Sequence, residues 1–258
     1  MMPLDDRRSV RLRGRRAIEA QARALAIDGV PLLDLSCWLE DARLGEAAPA
    51  TSYGDVPGRP GGADLTLPGP AGAAVPGRRA CEFDIATDAP ARDRAHVKFA
   101  VGAWAGREVS ALYAPMGCEL RGRLSVGAWE DGPLLSRCTL ALDAEPLAIG
   151  PERSSSSGRV LVRGAWVEPT VELVVESARQ AIDLVVDGLR AMRVPSASGS
   201  WPPGARVVID AAARTVLVNG SLACPTLDSD WPVLAPGAHT VSCAGCDVLV
   251  RWRERYMF

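Results

Sequence analysis

Histidine is almost absent from this chain, with only His96 and His239 among 258 residues. Neither stands in an HExxH pattern, and no GxSxG nucleophile turn occurs, so the commonest routes to metal or acyl-transfer chemistry have no visible starting point. Lysine is scarcer still. Lys98 is alone, preceded by His96-Val97 rather than by glycine, which excludes a phosphate-binding loop, and Ala95 three residues earlier excludes an SxxK nucleophile. No apolar run approaches the roughly 18 residues that a membrane span requires. The opening MMPLDDRRSV carries acids and arginines where a secretion signal has its apolar segment, so the expectation is folding in a cytoplasm with no membrane insertion. A net charge of −2 argues against general nucleic-acid binding.

Hydrophobic residues make up 48% and charged residues 23%, the usage of an ordinary folded protein with a buildable core. At roughly 150 residues per domain, two small domains are expected. The basic side is almost wholly arginine, and Ala, Gly and Pro are heavily used, as GC-rich coding produces. The seven cysteines form an odd set lying mostly inside apolar, strand-like runs. That distribution suits buried free thiols better than a disulfide framework. Cys243-Ala244-Gly245-Cys246 is a CxxC without a second pair or a histidine at ligand spacing, and reads as a turn between two strands. No metal or cofactor is called for, and the chain reads as a structural protein and not an enzyme.

Along the chain, Arg7, Arg8, Arg11, Arg13, Arg15 and Arg16 mark residues 1–23 as an arginine-rich arm without a convincing apolar face. Ile18, Ala22 and Leu25 allow a short helix, but Ala24 to Leu35 reads as two short strands about an Asp28-Gly29 turn. Residues 41–80, dense in Gly, Pro and Ala, read as an extended hairpin or belt that reaches a neighbouring subunit, and Pro57 and Arg59 are candidate contacts within it. Cys81 to Ala86 alternates as a strand. Thr87 or Asp88 is the expected cap of a helix with Pro90 in its first turn and Val97, Ala100, Val101 and Trp104 on one face. Cys118 to Trp129 and Ser136 to Asp143 follow as strands, and a composition shift near residue 148 marks a boundary between domains at 24–147 and 148–258. Beyond it, strands are expected at Arg159 to Arg163, Val171 to Glu176, Ile182 to Val186, Leu189 to Val194, Arg206 to Asp210, Thr215 to Val218 and Asp247 to Arg255. Asp187-Gly188 and Asn219-Gly220 are tight-turn dipeptides between them. The fold class is mainly β, with two β-sandwich domains, the first with one packed helix.

Three C-terminal segments carry a resemblance: ARVVIDAAARTVLVNG (Ala205 to Gly220), WPVLAPGAHTVS (Trp231 to Ser242) and CDVLVRWRERY (Cys246 to Tyr256). Their order resembles the end of distal tail proteins of long-tailed, siphovirus-type bacteriophages. An IDG start (Ile27 to Leu33), a VPGRPGG loop before ADLTL (Ala63 to Leu67), a single helix and a GR-strand-Trp segment (Gly122 to Trp129) are similar to the same family. The resemblance implies a tail-tube-like N-terminal domain that forms a homohexameric ring and a galectin-like C-terminal sandwich. Such a ring joins the tube protein to the tail tip or baseplate, contacts a tail-tip hub or tail-associated protein, and mounts receptor-binding or side-fibre proteins. DNA passes through its channel without specific binding. It also implies location at the virion tail tip after assembly in the host cytoplasm.

Two rival readings come from other classes. A carbohydrate-binding module would stack sugars on Trp166, Trp201, Trp231 or Trp252, but the His, Asn and Arg cluster of sugar-binding galectins is missing, and burial is the default for tryptophan. A cell-wall hydrolase would need paired carboxylates, a cysteine–histidine pair or a metal site, none of which the sequence assembles.

Overall fold

The computed structural model describes residues 18–48, 51–54, 63–64, 66 and 76–257. Its described residues divide into two compact units, one running to Ile149 and rejoined by Met257, the other spanning Gly150 to Tyr256.

In the first unit, a helical turn at residues 18–22 leads into strands β1 (Leu25–Ile27) and β2 (Val30–Pro31). Asp28 and Gly29 between them have φ of 49° and 78°, the positive values that a two-residue hairpin turn of this type needs. The second of the two expected strands stops at Pro31. Leu32–Leu35 is instead a 3-10 helix, closed by Ser36 in the left-handed region, because Leu32 turns back to full burial in the core. Then come β3 (Cys37–Leu44), the short pair β4 (Tyr53–Gly54) and β5 (Ala63–Asp64), and β6 (Arg79–Thr87). The strand expected at Ala63 to Leu67 is thus described only over its first two residues. Helix α1 (Ala91–Gly102) and strands β7 (Glu108–Tyr113), β8 (Cys118–Val126), β9 (Glu130–Asp131) and β10 (Ser136–Ala144) complete the set. The antiparallel sheet runs β2-β1-β7-β8-β10-β6-β3, with β9 against β10.

Alternation builds this sheet's inner face. Cys81, Phe83 and Ile85 of β6, Leu120, Gly122 and Leu124 of β8, and Leu140 and Leu142 of β10 are all buried, each two residues from the next on its strand. Val97, Val101 and Trp104 of the helical segment are buried as expected, while Ala100 is half-buried. The cap differs from the expectation. Pro90 occupies the N-cap and no side chain closes the helix, since the Thr87 hydroxyl is engaged elsewhere, donating to the Ser36 carbonyl at 2.8 Å.

Strand β11 (Ala148–Ser155) begins the second unit's β-structure. It is followed by β12 (Arg159–Val162), β13 (Thr170–Val175), β14 (Ala181–Val186), β15 (Leu189–Pro195), β16 (Arg206–Asp210), β17 (Thr215–Val218), β18 (Ser221–Leu222), β19 (Gly237–Ser242) and β20 (Cys246–Tyr256). Two sheets form, in the orders β18-β17-β16-β13-β20-β11 and β12-β19-β14-β15. The core between them is mostly valine, leucine and isoleucine from alternating positions, including Val171, Leu173, Leu184, Val207, Ile209 and Val250, with Trp252 at its margin. The mainly β, sandwich-based class read from the sequence is what the chain adopts.

Candidate assembly surfaces

The outward face of β3, β6 and β10 is built from the residues that alternation turns away from the core, and these are charged. Arg43 on β3 reaches Glu82 at 2.9 Å and Asp84 at 2.9 Å on the neighbouring β6, and Asp41 at 3.2 Å on its own strand. Arg137 on β10 holds Glu40 with both nitrogens of one fork, at 2.7 and 3.2 Å. The Thr139 hydroxyl donates to Asp84 at 2.6 Å, and that bond, with the Arg43 guanidinium, holds the Asp84 carboxyl below the usual carboxylate range. A polar pocket of about 230 Å³ opens here, between Glu40, Asp84, Glu130, Arg137 and Thr139. Exposed ion pairs of this kind stabilise little individually, so the network's chief consequence is a fixed pattern of charge.

A second surface lies along α1. The loop after β9 is tied to the helix by Arg94, which donates to the carbonyls of Gly132 (2.8 Å) and Pro133 (3.5 Å), and by Lys98, which grips both Asp131 oxygens at 2.7 and 2.6 Å. Lys98 and the Ser136 hydroxyl pull the Asp131 carboxyl down. With those contacts fixing the helix, Phe99 points outward at 83% exposure, and Leu134 in the loop stands at 79%. Both are large apolar side chains left to solvent.

In the second unit, the outer edge of β15 is covered by residues 226–230. Thr226 donates its amide to the Arg193 carbonyl at 2.9 Å, Asp230 to the Ala191 carbonyl at 2.7 Å, and the Ser229 hydroxyl accepts the Arg193 amide at 3.0 Å. That leaves Leu227 fully exposed at the tip of the covering segment. Strand β12, four residues long, pairs on one side with β19. Short length is one way such an edge avoids pairing with other chains.

The structure places the sequence-predicted residues unevenly. Arg7, Arg8, Arg11, Arg13, Arg15, Arg16, Pro57 and Arg59 lie outside the described residues. Tyr53 and Asp64 pair across β4 and β5, so the stretch does hold a hairpin, and Tyr53 is exposed. Trp252 is buried and donates its indole N–H to Glu254, while Trp201 donates to the Val194 carbonyl at 3.3 Å. Trp166, Trp201 and Trp231 are half-buried. Among the described residues no group of three or more His, Cys, Asp or Glu is placed to hold a metal. Sequence reasoning missed Glu254, a fully buried carboxylate that accepts the amides of Arg163 (3.0 Å) and Gly164 (3.3 Å) where the chain leaves β12. The available signal was its position, two residues beyond Trp252 on the core side of β20.

Comparison with known proteins gives this architecture its class. Residues 164–256 match the family described as siphovirus-type tail component, C-terminal domain. The chain is similar in fold to SPP1 Dit (gp 19.1), described as "a paradigm of hub adsorption apparatus in Gram-positive infecting phages". The two share 18% sequence identity, with a TM-score of 0.71, over 91% of this chain and 99% of that one. The resemblance to siphovirus-type distal tail proteins read from the C-terminal segments therefore holds. A chain of the phage p2 baseplate in its activated conformation is similar at a TM-score of 0.40 and 7% identity, over 84% of this chain and 90% of that one. No curated protein sequence matches.

Proposed function

We propose that this chain is the distal tail protein of a long-tailed phage, six copies of which form a ring between the tail tube and the tail tip. The observation that carries the reading is the agreement of two independent likenesses, the family match over residues 164–256 and the distal-tail fold over 91% of the chain. In this reading the first unit makes the ring, and its charged outer sheet face and its open Phe99 and Leu134 meet neighbouring copies or adjoining tail proteins. The second unit is the outward platform on which receptor-binding or side-fibre proteins are mounted. DNA crosses the ring without specific contacts, as a net charge of −2 suits, because a basic lumen would hold phosphates through counterion release where passage needs sliding. The protein acts as scaffold and carries no reaction. Gold-labelled antibody against the second unit, applied to virions carrying this chain, should decorate the end of the tail away from the head. Label along the whole tube, or none on intact virions, contradicts the reading.

A further inference from the structure

The CxxC of the second unit sits at a mechanically important place. Cys243 follows β19 and Cys246 opens β20, and those two strands belong to different sheets of the sandwich. The connection is a hydrogen-bonded β-turn in which the Cys246 amide donates to the Cys243 carbonyl at 3.3 Å, with Gly245 at φ 57°. A turn of this kind holds its first and last Cα atoms within about 7 Å, overlapping the separation that a disulfide spans. Both side chains turn the same way. Cys243 is buried in the sandwich core, and Cys246 packs against that core half-exposed. We infer that Cys243 and Cys246 are a redox site, closing to an intraturn disulfide that staples one sheet of the second unit to the other.

The buried thiols of the first unit do not compete. Cys37, Cys81, Cys118 and Cys138 are buried in the first unit, and burial pushes each of them up, Cys37 to about 11; none has an open thiol beside it to take the oxidant first, as Cys243 has in Cys246. Cys224 is exposed. At the turn, the more open Cys246 is the entry point, and Arg179 donates to the Ala244 carbonyl between the two cysteines. Burial and the neighbouring sulfur raise Cys243 to about 12, so it does not start the exchange; its place three residues from Cys246 in the turn makes it the resolving thiol once a mixed disulfide is held there.

The oxidant is a low-molecular-weight disulfide such as oxidised glutathione. The Cys246 thiolate attacks one of its sulfurs, forming a mixed disulfide and releasing one glutathione thiolate. That thiolate takes the Cys243 proton. Cys243 then attacks the Cys246 sulfur and expels the second glutathione, which takes the proton that Cys246 gave up. Two protein thiols are oxidised, one glutathione disulfide is reduced, and two glutathione thiols leave.

The full chain should be equilibrated in glutathione buffers of increasing oxidised fraction, quenched with acid, alkylated while unfolded, and mapped by peptide mass spectrometry. The expected result is a peptide carrying Cys243 and Cys246 that takes up no label and is lighter than its dithiol form by two hydrogen atoms. Cys37, Cys81, Cys118 and Cys138 remain labelled. Cys243→Ala keeps the buried position apolar and should trap glutathione on Cys246. The oxidised protein should also melt at a higher temperature than the reduced one. Full labelling of both cysteines at every buffer ratio overturns the inference, as does a Cys243→Ala protein that never carries glutathione on Cys246.

Discussion

Asp187 and Thr240 are bonded to each other twice: the Asp187 amide donates to the Thr240 carbonyl at 2.8 Å, and the Thr240 amide donates to the Asp187 carboxylate at 2.7 Å. The same device recurs at the other tight turns. Asp28 exchanges backbone and side-chain bonds with Ser110, and Asn219 with Arg206, each from a left-handed backbone ahead of glycine. A short side chain that tolerates positive φ thus closes the hairpin and fixes a neighbouring strand at once.

Because the Thr240 amide, and then His239, stabilise its charged form, the Asp187 carboxyl is held below the ordinary value near 3.9. A carboxyl depressed on folding contributes stability above its unfolded pKa and loses it as pH falls through the lower folded value. Asp187→Ala should therefore lower the melting temperature at neutral pH, and the gap from the unchanged protein should narrow as the pH is taken below about 4. Asp187→Asn, which keeps an acceptor without a titrating group, should show less of that pH dependence. Melting curves at several pH values check both.

Trp252 is buried beside Val250 on the core side of β20. Replacing it with alanine should cost the second unit roughly 3 to 5 kcal/mol, the usual range for deleting a buried large aromatic side chain. Denaturant unfolding followed by circular dichroism measures it. A shift too small to resolve would place the indole on a binding face.

Glu254 is a separate case, since its carboxylate is the acceptor for two amides at the exit from β12. Glu254→Ala should cost about 1 to 3 kcal/mol for each amide left without a partner. Hydrogen exchange at Arg163 and Gly164 should accelerate in that variant. Unchanged protection at both amides would mean that another group accepts them.

What was legible in the sequence follows from how regular each element is. β16 and β17 alternate cleanly, with Asn219-Gly220 turning the chain from β17 into β18, and their expected bounds coincide with the observed ones. β3 escaped because the register shifts between Leu39 and Asp41, which breaks the period-two pattern in the middle of CWLEDARL. β11 escaped because AIGPERSS has glycine, proline and serine in a strand, residues that ordinarily mark a turn. β7 and β19 were also unread, the latter because GAHTVS buries a single residue, Val241. The burial of Glu254 was hidden for a different reason: a charge in an arginine-rich strand reads as solvated until its amide partners from elsewhere in the chain are known.

The arginine-rich arm bears on attachment. We propose that in the ring Arg7, Arg8, Arg11, Arg13, Arg15 and Arg16 clamp an acidic surface on a neighbouring copy or an adjoining tail protein, since each guanidinium can hold a carboxylate with two hydrogen bonds. Deleting residues 2–16 should leave each subunit folded, with an unchanged melting temperature, and weaken incorporation into tails. Truncated protein that yields normal infectious tails would contradict this.

The ring is the central claim, and the mass of the native particle tests it most directly. Size-exclusion chromatography with light scattering should give six times the monomer mass for the full chain and a monomer for residues 148–258 alone. A monomeric full chain, or self-assembly of residues 148–258 by themselves, would contradict the account.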